Sequence, residues 1–193
     1  MNHSKKDIKL QRIVMEVFGG CNYTCQMCPQ STPGRGSNFT RKMPIKQFES
    51  ILDKIVPKYG NPIINLEGSG EPTMAKDLDS YVKAVKSRNL KCYMYCNGAR
   101  LNGDFLKRVL DQGIDFIRYS IIGYNKEKYH KWMNIDNFDL IISNIKEAKN
   151  YIEKNNLNTR LGTYHLILDN KNLSFEMNEY KKNVVNKINI YGY

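Results

Sequence analysis

No stretch of this 193-residue chain approaches the roughly 20 apolar residues needed to cross a bilayer. Its N-terminus, MNHSKKDIKLQR, is basic but has no apolar core. Membrane insertion and export are therefore not expected. Acidic residues are scarce: 19 Asp and Glu against 30 Lys and Arg leave a net charge of +11. The excess forms no compact basic block, because the lysines are scattered among many asparagines, and this argues against a nucleic-acid partner. A solvated surface, or docking of an acidic electron donor, is the alternative source of such charge. The five cysteines are odd in number, clustered, and follow no secretion signal, which argues against a disulfide framework and for a reducing cytoplasm. Internal repeats, low-complexity segments and a linker to a second domain are also lacking. The length and the 41% hydrophobic content suit one domain, residues 1–193, with one sizeable core.

The most informative segment present is Cys21-Asn-Tyr-Thr-Cys25-Gln-Met-Cys28. Thiolates are soft ligands that select iron-sulfur clusters or zinc. Electron-transfer clusters take four cysteines and saturate every iron. Three cysteines with no fourth nearby leave one iron open for chemistry. Zinc is the rival, with His3, His130 or His165 as fourth ligand, although zinc sites usually pair two knuckles and no second knuckle exists here. Cys92 and Cys96 sit four apart in a strand-like apolar run and read as small buried hydrophobes.

Along the chain, strand and helix patterns alternate. QRIVMEVF (11–18) reads as a strand that delivers the cysteine loop, and 29–43 as a polar loop. Pro44 is placed as the first helical residue, and the helical stripe of Ile45, Phe48, Ile51, Leu52, Ile55 and Val56 is expected to stop at Pro57. NPIINLE is a second strand. LDSYVKAVKS is a helix with Leu78, Tyr81, Val82 and Val85 on one face, and KCYMYC a third strand. Asn102 can cap the next helix, with Phe105, Leu106, Val109 and Leu110 inward and Gly113 as its stop. IDFIRYSII is a fourth strand. Residues 126–154 form a short and a long helix, the latter capped near Asp136 or Asn137 with Leu140, Ile141, Ile145, Ala148 and Ile152 inward. LGTYHLIL is a fifth strand, about 174–183 a weak helix, and KINIYGY a sixth strand. The expected fold is α/β: a partial (β/α)6 TIM-like parallel barrel whose post-strand loops share one site at the carboxyl ends of the strands.

These residues resemble the radical S-adenosylmethionine (radical SAM) superfamily, defined by C-x-x-x-C-x-Φ-C with Met27 at Φ. Gly68-Ser69-Gly70-Glu71-Pro72 is similar to its Gly-Gly-Glu motif, Cys96-Asn97-Gly98 to its Thr-Asn-Gly, and Ser120 to a Ser at the end of strand four. The resemblance implies one 4Fe-4S cluster on Cys21, Cys25 and Cys28, and S-adenosyl-L-methionine chelated by its open iron. It implies further that the cofactor's ammonium meets Ser69, Gly70 and Glu71, its carboxylate or ribose Ser120, and its adenine Met27. Tyr23 would contact the nucleotide or shield the cluster. His130 and Lys131 stand where relatives place a cation, and Arg35, Arg41 and Lys42 where a basic loop would meet an anionic substrate, with a solvated surface as the plainer reading of both. The implied activity is reductive cleavage to a 5′-deoxyadenosyl radical that abstracts hydrogen from a peptide, a sugar or another small molecule. Flavodoxin or ferredoxin would be the acidic reductant. Met27-Cys28-Pro29 and Met43-Pro44 resemble the SPASM/twitch branch, and with no cysteine beyond Cys96 a truncation after strand six is expected, without auxiliary clusters. A non-catalytic cluster- or zinc-binding remnant, and a basic RNA-modifying relative, are the alternatives.

Overall fold

A computed structural model describes residues 10–31, 41–167 and 172–192. Its frame is one parallel sheet of six strands in the order β1-β2-β3-β4-β5-β6. The strands are β1 (Arg12–Met15), β2 (Ile63–Leu66), β3 (Cys92–Cys96), β4 (Phe116–Ser120), β5 (Arg160–Tyr164) and β6 (Tyr191–Gly192). Between them run the helices α1 (Ile45–Tyr59), α2 (Leu78–Lys86), α3 (Gly103–Asp111), α4 (Lys126–Met133) and α5 (Phe138–Lys154). After β5, α6 (Leu173–Tyr180) passes through a π-turn (Lys181–Val185) into α7 (Asn186–Ile188). This is the expected TIM-like arrangement of strand, crossover and parallel strand.

Because side chains alternate along a strand, each strand divides its residues between two environments. Ile64, Leu66, Cys92, Met94, Ile117, Tyr119 and Leu161 face the helices and are buried. They pack with Leu52, Val82, Val85, Leu106, Leu110, Ile141 and Ile145 into one core cluster. The opposite, inner face carries Val14, Asn65, Tyr93, Phe116 and Arg160 in one register layer, and Tyr95, Arg118 and Gly162 in the layer above. It is aromatic and cationic where the outer face is aliphatic.

Several boundaries depart from the sequence reading. Pro44 is the N-cap of α1, not its first residue, and α1 continues past Pro57 to Tyr59. In the final turn a missing N–H costs one bond only, and the turn still closes through Gly60 N–H to Val56 O at 3.0 Å before Gly60 turns to φ 73°. Asn102 occupies the N-cap of α3 but makes no cap bond; Glu147, reaching from α5, accepts the Gly103 N–H at 2.9 Å instead. Leu140 is exposed at 41%, because the buried stripe of α5 runs through Ile141, Ile142, Asn144, Ile145, Ala148 and Ile152. Residues 187–188 of the expected sixth strand belong to α7, and only Tyr191–Gly192 pair with β5. Residues 32–40 of the expected loop, with Arg35, lie outside the described residues, as does His3.

Candidate functional site

The cysteine loop begins where β1 runs out and is closed at its base. Gly19 N–H donates to Arg41 O at 2.9 Å and Met43 N–H to Val17 O at 3.0 Å, so the chain leaves and returns through one antiparallel contact. Cys21 is exposed, Cys25 and Cys28 half-buried. Within the loop, Tyr23 N–H points at Cys21 Sγ (3.4 Å) and Cys28 N–H donates to Cys25 O (3.0 Å).

From across the sheet, α4 and the turn after it grip the loop. Gln26 N–H donates to Trp132 O at 2.9 Å, Asn134 Nδ2 to Thr24 Oγ1 at 3.0 Å, and Cys25 Sγ lies 3.8 Å from Met133 Sδ. The Tyr23 ring is buried, and its hydroxyl meets Tyr129 Oη at 3.3 Å and Asn137 Nδ2 at 3.0 Å. Tyr23 is thus an inward anchor of the loop. Nothing in α4's weakly amphipathic sequence announces these contacts.

The 68–71 turn lies beside the loop, held by a residue the sequence reading passed over. Glu16, a lone acid in the apolar run that leads from β1, turns Oε2 toward the N–H groups of Ser69 and of Gly70, the latter at 3.1 Å. Among the described residues, the carbonyls of Gly68, Ser69 and Gly70 accept no hydrogen bond, so the turn presents three free acceptors. Gly70 is required by proximity: a Cβ there would stand 1.9 Å from Phe18 O. Glu71 N–H donates to Gly20 O at 2.8 Å, which sews the turn to the start of the cysteine loop.

Glu71 itself points inward and is buried. Its Oε1 accepts from Thr73 N (3.0 Å) and Thr73 Oγ1 (2.6 Å), capping the Pro72–Met74 turn, and its Oε2 accepts from Asn97 N (2.7 Å). Burial pushes its carboxyl pKa up, against the pull of those donors. Asn97 continues the chain, with Nδ2 donating to Asn22 Oδ1 at 2.8 Å and lying 3.9 Å from Cys21 Sγ. One carboxylate therefore links the post-β2 turn to the post-β3 loop, and Asn97 links that loop to the first cysteine.

The profile of the Radical SAM superfamily matches residues 15–169. The chain belongs to the radical SAM superfamily. An uncharacterized protein of Methanocaldococcus jannaschii is 25% identical over 180 residues, 89% of this chain and 54% of that protein. A probable GTP 3′,8-cyclase of Thermococcus kodakarensis is 29% identical over 139 residues, 72% of this chain and 43% of that protein. The chain thus spans about half the length of these curated relatives. Among solved structures, Streptococcus suis SuiB bound to precursor peptide SuiA superimposes with a TM-score of 0.72 at 15% identity, over 94% of this chain and 38% of SuiB. That likeness shows the radical SAM fold.

Membership implies a 4Fe-4S cluster and S-adenosylmethionine, and the donor set fits both. Burial and the neighbouring charges of Cys21 and Cys28 push the Cys25 thiol up to about 12, and burial raises Cys21. Coordination to a cationic cluster removes that repulsion and deprotonates thiols outright. Among the described residues no three Cys, His, Asp or Glu side chains converge on a single ion. Of the proposed fourth zinc ligands, His3 lies outside the described residues and His165 has other partners. His165 accepts Gly123 N–H at Nδ1 (3.1 Å) and holds Glu176 at Nε2 (3.0 Å), and His130 is exposed on α4.

The remaining candidates divide. Ser69 is exposed on the turn, Ser120 half-buried at the end of β4, and Met27 half-buried against the core. Lys42 is tied to Asp77 at 2.8 Å, and Lys131 lies over the Trp132 ring at 4.6 Å. Cys92 and Cys96 are buried on the helix side, as a hydrophobic role requires. No helix among the described residues is long and apolar enough to cross a membrane.

Proposed function

We propose that this chain is the core of a radical SAM enzyme in which Cys21, Cys25 and Cys28 hold a 4Fe-4S cluster and the 68–71 turn receives S-adenosylmethionine. The observation that carries the proposal is the hydrogen-bonded chain from Cys21 through Asn97 and Glu71 to the turn, which sets three motif loops in one fixed arrangement. When bound, the cluster supplies the electron for reductive C–S cleavage of S-adenosylmethionine to methionine and a 5′-deoxyadenosyl radical. The protein's part is positioning. Glu16 consumes the N–H groups of Ser69 and Gly70. The carbonyls of this turn are thereby left to accept from the ammonium of the cofactor. Glu71 acts by holding the turn and Asn97 together, its two oxygens already taken. Ser120, at the end of the neighbouring strand, would meet the carboxylate or ribose, and Met27 the adenine.

An acidic one-electron donor such as flavodoxin or ferredoxin is the proposed reductant. The net charge of +11 favours it, as does exposed Lys131 beside Trp132, whose carbonyl holds the cysteine loop. One relative is named for GTP, and a structural neighbour is seen bound to a precursor peptide. The core therefore sets the cofactor chemistry without setting the substrate. The proposed target is an organic molecule that gives up a hydrogen atom to the radical.

The test is anaerobic reconstitution with iron and sulfide, reduction by dithionite, and assay for 5′-deoxyadenosine. Wild type is expected to release it, and Cys28→Ala to lose both cluster absorbance and product. A well-formed cluster that yields no deoxyadenosine would leave a binding domain only. About one zinc per chain and no iron in anaerobically purified protein would sink the cluster assignment.

A further inference from the structure

We infer that the inner face of the sheet is an anion subsite centred on Arg118, and that the substrate presents a carboxylate or phosphate to it. This rests on the proposed function, since it assigns a substrate class to the same site. Arg118 projects from β4 one step along the inner face from Ser120, with Tyr95 of β3 and Gly162 of β5 as its register partners. Gly162 puts no side chain into that layer. The guanidinium is sandwiched, with Cζ 3.4 Å from the Tyr95 ring centroid and 4.7 Å from that of Tyr164. Stacking between rings fixes the plane of the group and leaves its charge unneutralised.

Among the described residues, no acceptor is paired with the donors of Arg118. Its Nε is buried without a hydrogen-bond partner, and among the described residues it forms no ion pair. The nearby phenols are committed, Tyr95 Oη to Arg12 (3.1 Å) and Tyr93 Oη to Arg160 (3.3 Å). Those two arginines add positive charge deeper on the same face and are likewise without an ion pair among the described residues. Glu16 is spent on the 68–70 turn, and Glu67 forms no ion pair among the described residues. Asn65, one layer below Arg118, is fully buried with both amide atoms unpartnered, a second polar group turned to the inner face. A buried, unpaired donor is costly unless something accepts from it. Planar, bidentate acceptance is what a carboxylate or phosphate offers a guanidinium.

The experiment is titration calorimetry on the anaerobically reconstituted chain at fixed ionic strength, with inorganic phosphate and with succinate as probes. Saturable binding of at least one is expected, and which one binds separates a phosphoryl from a carboxylate substrate. Arg118→Met, which keeps the apolar stem, should weaken binding about tenfold, the loss of one charge-assisted contact. Arg118→Lys, which keeps the charge and loses the fork, should weaken it about threefold, and serves as the test if the Met variant does not fold. Lys54→Gln removes the same charge from the exposed side of α1 and should change nothing. No saturable binding of either anion, or binding that Arg118→Met leaves intact, or equal loss in Lys54→Gln, would overturn the inference. Deoxyadenosine release by the same preparations is scored separately. Anion binding without cleavage refutes the proposed function alone; cleavage without Arg118-dependent binding refutes the subsite alone.

Discussion

Gly70→Ala tests whether the turn after β2 is locked to the start of the cysteine loop. The added methyl would lie 1.9 Å from Phe18 O and 2.7 Å from Gly19 C, both backbone atoms that no rotamer change can move aside. Ordinary contact needs about 3.5 Å, so the turn and the 18–19 segment must separate by about 1.5 Å. That displacement exceeds the tolerance of the two hydrogen bonds flanking the contact, Glu71 N to Gly20 O at 2.8 Å and Gly70 N to Glu16 Oε2 at 3.1 Å. One neutral and one charge-assisted bond together contribute about 2–4 kcal/mol, and for a chain of this size that lowers the melting temperature by roughly 5–15 °C. Gly103→Ala is the control, since its Cβ meets nothing within 4 Å and only its φ of 53° is strained. It should cost about 1 kcal/mol. Melting under anaerobic conditions, with iron content measured in parallel, reads both effects, and the Gly70 variant should also lose cluster. The reasoning fails if the two variants melt together.

Glu71→Gln should destabilise by about 2 kcal/mol, because one amide cannot accept from both Thr73 and Asn97; faster hydrogen exchange at Asn97 is the local readout, and unchanged protection would contradict it. Tyr23→Phe removes the bonds to Tyr129 and Asn137 and should cost about 1–2 kcal/mol, with quicker loss of iron to a chelator as the sign that the anchor holds the loop. Burial holds the His165 pKa below its usual 6.5, outweighing Glu176, while Tyr180 stacks on the ring. The folded state therefore resists a proton that the unfolded chain accepts. Stability present above about pH 6.5 should decline as pH falls toward the folded value, and His165→Gln should flatten that decline in melting curves.

The fold was legible because both of its periods are strong. The buried alternation of β3 and β4 and the stripes of α2 and α3 are visible in the letters CYMYC, FIRYS, LDSYVKAVK and GDFLKRVLD. Helix ends were read less well: Pro57 is tolerated in a last turn, and Asn102 yields its capping task to a distant Glu147, which no local rule reveals. At the candidate site, the cysteines were marked by spacing, and the turn by its resemblance to the family's Gly-Gly-Glu motif. The direction of Glu71 was not, because a carboxylate that caps its own segment and one that meets a cofactor look alike in sequence. Glu16 could have been flagged as the single acid in QRIVMEVF. Tyr129, Trp132, Asn134 and Asn137 could not, since their partners lie over a hundred residues away.

That separation bears on how the site is assembled. The loop of Cys21 to Cys28 leaves the ribosome early, whereas Trp132, Asn134 and Asn137 emerge only after four strands have been made. Gathering such distant partners requires closing a long loop, and contacts of that kind form late in folding. Until α4 docks, the three thiols are tethered by local turns alone, open to oxidants and to adventitious metal. Under the proposed ligation, the grip of α4 gives cluster insertion two regimes, an early one with slack thiols and a late one in which the loop is already shut.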